Sequence, residues 1–146
     1  DATRVFDARD MTIIPGLIDS HVHLFSLPGA TFRNDSEAEG REQRRIHLRA
    51  YLANGVTSVL DTGISFEHLA EIRGSLASGV PGPRVYALGP PLSAPGGYAD
   101  DRPESYAFNF NARNADAVDV MIDQLVSADT IGVKVKIEYG FGPFKV

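Results

Sequence analysis

The feature that most constrains this chain is the regular succession of short apolar runs and longer amphipathic ones. Leu17 to Leu24, Val56 to Leu60, Arg84 to Leu88 and Val133 to Glu138 have the length and content of strands. Three stretches with apolar residues at helical spacing separate them. Ser36 with Glu39 has the capping-box spacing and opens a helix to about Ala53, which Asn54-Gly55 stops. Ser65 caps a second helix, with Phe66, Leu69, Ile72 and Leu76 on one face and Gly79 at its end. Asn114 caps a third, whose inner face holds Val118, Met121, Ile122 and Leu125. Strand and helix alternating in this way imply parallel strands joined by right-handed crossovers.

An α/β chain with four parallel strands and three helices between them makes half of a (β/α)8 barrel, the TIM-like architecture. A complete barrel takes about 250 residues, so a chain of 146 residues needs roughly another hundred to close one. An open, doubly wound four-stranded sheet is the competing architecture, but the glycine-rich phosphate turn of a nucleotide-binding sheet is missing. The half-barrel is therefore the expectation. Ahead of it, Arg4 to Ile14 reads as a short hairpin around the turn-like Asp7-Ala8-Arg9-Asp10, and Pro15-Gly16 punctuates the chain. The expected division is residues 1–15 as the hairpin and 16–146 as the partial barrel. Gly89 to Arg113 reads as one long connection, beyond the roughly 12–15 residues a structureless loop usually reaches.

Composition narrows the partners. Apolar residues make up 43% and charged residues 23%, the balance of a soluble globular protein. A net charge of −5 argues against nucleic acid or an anionic membrane. No run approaches the roughly 18 apolar residues of a membrane-spanning helix. The absence of cysteine removes disulfides and thiolate metal sites, and leaves cytoplasmic and exported (periplasmic) locations equally open. The chain begins with Asp1 and has no basic-then-apolar leader, as expected if a leader has been removed or the chain is a piece of a longer product.

The first strand carries the chemistry. Alternation puts Asp19, His21 and His23 on one face, with Ile18, Ser20, Val22 and Leu24 on the other. Two imidazoles about 6.6 Å apart along a strand can converge on one metal ion. Neutral imidazole is a good zinc ligand, and Asp19 could orient one ring by a hydrogen bond. A His-x-His pair by itself is more often structural. Here both histidines fall near the C-terminal end of a parallel strand, on the face that turns inward in a barrel, where barrel active sites are built.

The run Pro15-Gly16-Leu17-Ile18-Asp19-Ser20-His21-Val22-His23-Leu24 resembles the signature of the amidohydrolase superfamily. The helix after it, followed by Asn54-Gly55-Val56-Thr57-Ser58-Val59-Leu60-Asp61-Thr62-Gly63, is similar to that family's second unit. The nearest branch is the imidazolonepropionase- and prolidase-like one. The resemblance implies a metal-dependent hydrolase on a distorted barrel. It also implies that the hairpin is the end of a small β-sandwich leading into that barrel.

The fourth strand alternates Val133, Val135 and Ile137 with Lys134, Lys136 and Glu138. Charges inside a closed barrel are costly unless they pair or bind metal, so this face is a functional candidate. The family resemblance implies a lysine at the end of strand four, carboxylated by carbon dioxide and bridging two metals. Lys136 takes that place first, being nearer the strand's end than Lys134. Glu138 is the rival, since a carboxylate bridges metals unmodified. Spacing alone does not separate the three, and a solvated Lys/Glu face is the plain alternative.

Other candidates are weaker. Tyr98, Tyr106, Phe108 and Phe110 lie in the long connection, where they would touch substrate or simply pin the loop. Asp61 ends the second strand on the catalytic side, although an aspartate before Thr62-Gly63 usually makes turn hydrogen bonds. His47 and His68 read as surface or packing residues.

The expected reaction is hydrolysis of an amide or related C–N bond in a small-molecule substrate, by water activated at one or two divalent ions, zinc first among them. The resemblance implies further histidines from strands five and six and a proton-handling aspartate from strand eight. All three would lie beyond Val146, so the chain alone is expected to be inactive. Two alternatives stand beside this. One is a fragment that binds metal weakly and associates with a missing C-terminal half or another copy of itself through its open sheet edge. The other is a non-catalytic α/β module without metal.

Overall fold

A computed structural model of the chain describes residues 4–25, 37–94, 110–111 and 113–137, and gives the backbone alone at 37–39 and 110–111. In chain order the elements are β1 (Leu17–Val22), α1 (Glu37–Ala53), β2 (Val56–Asp61), α2 (Phe66–Ala77), β3 (Arg84–Ala87), β4 (Leu92–Ser93), β5 (Phe110–Asn111), α3 (Ala115–Ser127) and β6 (Val135–Lys136). Every strand pairing among the described residues is parallel. One sheet runs β1-β2-β3 and a second runs β5-β4-β6. A backbone hydrogen bond ties the two: the Ile131 amide, ahead of β6, donates to the Ala87 carbonyl of β3 at 3.0 Å. The segment entering β6 therefore runs beside the end of β3.

The helices begin and end where local chemistry says they should. The Ser65 hydroxyl accepts from the His68 amide at the start of α2, and the Asn114 side chain from the Ala117 amide at the start of α3. Gly55 (φ 79°) and Gly79 (φ 94°) follow α1 and α2 in the left-handed region, which removes a Cβ penalty from both stops. The Ser36–Glu39 capping box lies outside the described residues.

The core forms between the helices and one face of the first sheet. Val22 and Leu24 from β1 and its end, Val59 from β2, and Ala87 from β3 meet Leu48 of α1 and Leu69 and Ile72 of α2. A second cluster joins Leu92 to Met121 and Leu125 of α3, with Val118 and Ile122 packed against it. Burying a side chain the size of Leu48 or Ile72 contributes about 1.5–3 kcal/mol. That is enough to fix which face of the sheet the helices cover.

Three expectations about elements change. Residues 4–14 keep the reverse turn, with the Met11 amide donating to the Ala8 carbonyl at 3.0 Å, but form no strand ladder. Val5, Phe6, Met11, Ile13 and Ile14 are all exposed there, so no apolar face is buried to hold the arms of a hairpin together. The connection after β3 is not structureless, since it contributes β4 and β5. The last strand is assigned only to Val135–Lys136, and Glu138 lies outside the described residues.

Pro15-Gly16 also has a steric reason. A Cβ on Gly16 would sit 2.2 Å from the Thr57 side chain, so the close approach of β1 to β2 at this point requires glycine.

Candidate functional site

The site is built at the C-terminal rim of β1 and β2, where the pairing of these strands is irregular. Asp19 stands opposite Val59, yet Val22 stands opposite Asp61, so β1 carries one more residue than β2 over this stretch. This is a β-bulge, a device that re-aims side chains beside functional sites. From His21 onward, exposed and buried residues alternate. His21 and His23 face open space, while Val22 and Leu24 enter the core.

The two imidazoles are neighbours. Their ring centroids are 5.5 Å apart with the planes at 78°. They are neither turned apart nor buried against aliphatic groups, and His23 keeps 46% of its side-chain surface exposed. Asp19 lies at the start of the bulge, and its carboxylate accepts the backbone amide of His21 at 3.1 Å.

The carboxylate beside the histidines is Asp61. Its side chain has no exposed surface, and one oxygen lies 4.0 Å from Nδ1 of His23. Oδ2 accepts the Leu24 amide at 2.7 Å and Oδ1 accepts the Gly63 amide at 2.9 Å. Burial pushes the Asp61 carboxyl above the usual carboxylate range, and the two amides and two imidazoles pull it partly back. The turn role expected for an aspartate before Thr62-Gly63 is present. The bond to Leu24, 37 residues away in sequence, is what the sequence reading missed. An acid closing the apolar run Val56 to Leu60 is the signal the sequence offers. Next to it, the Thr62 hydroxyl is buried with no hydrogen-bond partner among the described residues.

A line of rings continues away from the pair. Phe25 lies 6.2 Å from His23 and stacks on His68 of α2 at 6.1 Å. His68 thus packs, as expected, with its Nδ1 held 2.8 Å from the Ser65 hydroxyl.

On the last strand the lysine side is the less exposed one. Lys134 and Lys136 are half-buried, while Val133, Val135 and Ile137 are exposed, Ile137 at 92%. Lys136 pairs with Ser93, a buried polar residue. A solvated lysine face with a packed aliphatic one does not describe this strand. Glu138, Tyr98, Tyr106 and Phe108 lie outside the described residues. Among those described, no group of three or more histidine, aspartate or glutamate side chains is placed to hold a metal ion. No described helix is long and apolar enough to cross a membrane.

Parallel strands with helices packed on one face, and two neighbouring histidines at the end of β1, define a class of α/β chain with candidate ligands at the rim of its sheet. The comparisons with known proteins give that class its family: the amidohydrolase family model matches residues 12–139, and the chain belongs to this family. No curated protein matches the chain. Among solved structures, an amidohydrolase is 28% identical with a TM-score of 0.69, covering 91% of this chain and 36% of its own. A Xaa-Pro dipeptidase with methionine bound in its active site is 25% identical with a TM-score of 0.62, covering 83% and 33%. An ochratoxinase from A. niger, 21% identical with a TM-score of 0.66 over 86% and 34%, shares the fold. The chain thus spans about a third of the length of the solved structures it matches.

Proposed function

We propose that this chain supplies the first part of a metal-dependent hydrolase that cleaves an amide or related C–N bond. It would form the opening half of a (β/α)8 barrel, with residues 1–15 as a small flanking element. The observation that carries the reading is the adjacency of His21 and His23 on the open side of β1, 5.5 Å apart, in a chain of the amidohydrolase family. Their donor chemistry fits a divalent ion, zinc first. Such an ion, when bound, lowers the pKa of a water toward about 7 and polarises a scissile carbonyl.

The chain's own residues do the rest. His21 and His23 present ring nitrogens on the open side of the strand. Val22 between them and Leu24 after them, both locked in the core, keep the backbone from turning either ring away. Lys136, half-buried on β6, is the first choice for a bridging carboxylated lysine, with Glu138 its rival. Two imidazoles are fewer than the three protein ligands a catalytic zinc site takes. Further ligands and the proton-handling aspartate would come from outside the described residues, and the chain by itself would be inactive. The dipeptidase among its structural neighbours makes dipeptides the first substrates to assay. The exposed aliphatic side of β6 and β1, an edge strand among the described residues, suit a further part of the same fold or a second copy as partner.

The test is metal analysis of the purified chain beside a His21→Ala/His23→Ala variant, followed by assays on dipeptides, lactams and lactones. Metal held by the unsubstituted chain and lost from the variant supports the reading. Equal metal content in both removes it, and turnover by the chain alone contradicts the claim that it is incomplete.

A further inference from the structure

Asp61 is anchored more firmly than a turn residue needs to be. It ends β2, has no exposed side-chain surface, and accepts two backbone amides from different parts of the chain. The Gly63 amide belongs to its own turn. The Leu24 amide belongs to the residue that follows His23, beyond the bulge in β1. The carboxylate therefore fastens the chain on the far side of His23, while Val22 is fixed in the core on the near side. The ring lies beside the same group, with Nδ1 4.0 Å from an Asp61 oxygen. A Cβ on Gly63 would lie 3.4 Å from Cε1 and 3.6 Å from Nδ1, so the Gly63 backbone packs on this same edge of the ring.

We infer that Asp61 is the positioning residue for His23: it clamps the backbone through Leu24 and holds the imidazole with its Nδ1 proton toward the carboxylate, leaving Nε2 as the ligand nitrogen. Which nitrogen of a histidine carries the proton is set by what the other edge of the ring faces. A carboxylate favours a proton on the nitrogen beside it. The inference rests on the metal-binding reading above for its purpose, but its geometry concerns the metal-free chain. Asp61 touches no substrate in this account. It acts through His23 alone.

The test has two arms. In the first, the nitrogen-15 spectrum of the neutral imidazoles is recorded on the unsubstituted, metal-free chain. His23 is expected as the Nδ1-protonated tautomer. An Nε2-protonated His23 overturns the inference, whether or not any variant folds. In the second, zinc affinity and the same spectrum are measured on Asp61→Asn, an isostere that cannot accept both amides. The expected result is a loss of affinity of about ten- to a hundredfold, with the His23 tautomer mixed and the His21 spectrum unchanged. Unchanged affinity in a folded variant overturns the inference. Failure of the unsubstituted chain to take up zinc would count against the hydrolase reading instead, and the metal-free tautomer would still decide the placement of Asp61.

Discussion

Arg44 of α1 and Glu71 of α2 form a two-pronged ion pair across the helix interface. Nε donates to Oε1 at 3.1 Å and a terminal nitrogen donates to Oε2. The Arg44 side chain is only 7% exposed and Glu71 22%. Removing one partner leaves the other partly buried and unpaired. Arg44→Ala should cost about 2–3 kcal/mol, somewhat below the full penalty for a broken buried pair because Glu71 keeps some contact with water. Urea denaturation followed by circular dichroism measures it. A midpoint equal to that of the unsubstituted chain would show that the pair is dispensable.

A second arginine works at a helix end. Arg73 of α2 donates to the carbonyls of Ala128 (2.6 Å) and Asp129 (2.8 Å), just past α3. These carbonyls have no partner within the helix, and a cation there also favours the negative end of its dipole. Arg73→Ala should cost about 1–2 kcal/mol and increase amide exchange in the last turn of α3 more than in α1. Uniform loss of protection across both helices would contradict a capping role.

Gly89 joins β3 to β4 with φ at 70°, and a Cβ there would meet Leu125 of α3 at 2.6 Å. Strain and overpacking act together at this position. Gly89→Ala is expected to cost about 2–4 kcal/mol, measured in the same denaturation experiment. A cost below about 0.5 kcal/mol would mean that the turn relaxes freely, against the packing described for α3.

His47 of α1 is half-buried, and burial lowers its pKa below the ordinary value. The unfolded chain then binds a proton that the folded chain resists, so stability rises with pH through this window and falls as pH drops below about 6.5. The opposite sign applies to Asp61, whose raised pKa favours the protonated folded form at acid pH. Comparing unfolding midpoints at about pH 7.5 and about pH 5 for the chain and for His47→Gln isolates the histidine. The drop should be smaller in the variant, and an identical drop would assign it elsewhere.

Helical faces were the most legible part of this fold. Leu69, Ile72 and Leu76 of α2, and Val118, Met121, Ile122 and Leu125 of α3, lie against the core as their spacing implied. Periodicity reports burial directly, and the caps at Ser65 and Asn114 are local events that a short window of sequence contains. The histidine pair was legible for a similar reason, since alternation places His21 and His23 together and Val22 opposite. What alternation cannot carry is register. One extra residue in β1 shifts its pairing with β2 between Asp19 and Val22, and no local signal marks that insertion. Asp61 was undervalued because its decisive partner, the Leu24 amide, is distant in sequence. The short strands β4 and β5 escaped for the same reason: two-residue ladders are defined by their neighbours alone.

Whether His21 and His23 share an ion decides the hydrolase reading. Isothermal titration of the metal-free chain with zinc, beside the His21→Ala/His23→Ala variant, asks this directly. One binding event in the unsubstituted chain, weakened at least about tenfold in the variant, is the predicted result. Titration curves that cannot be told apart would contradict it.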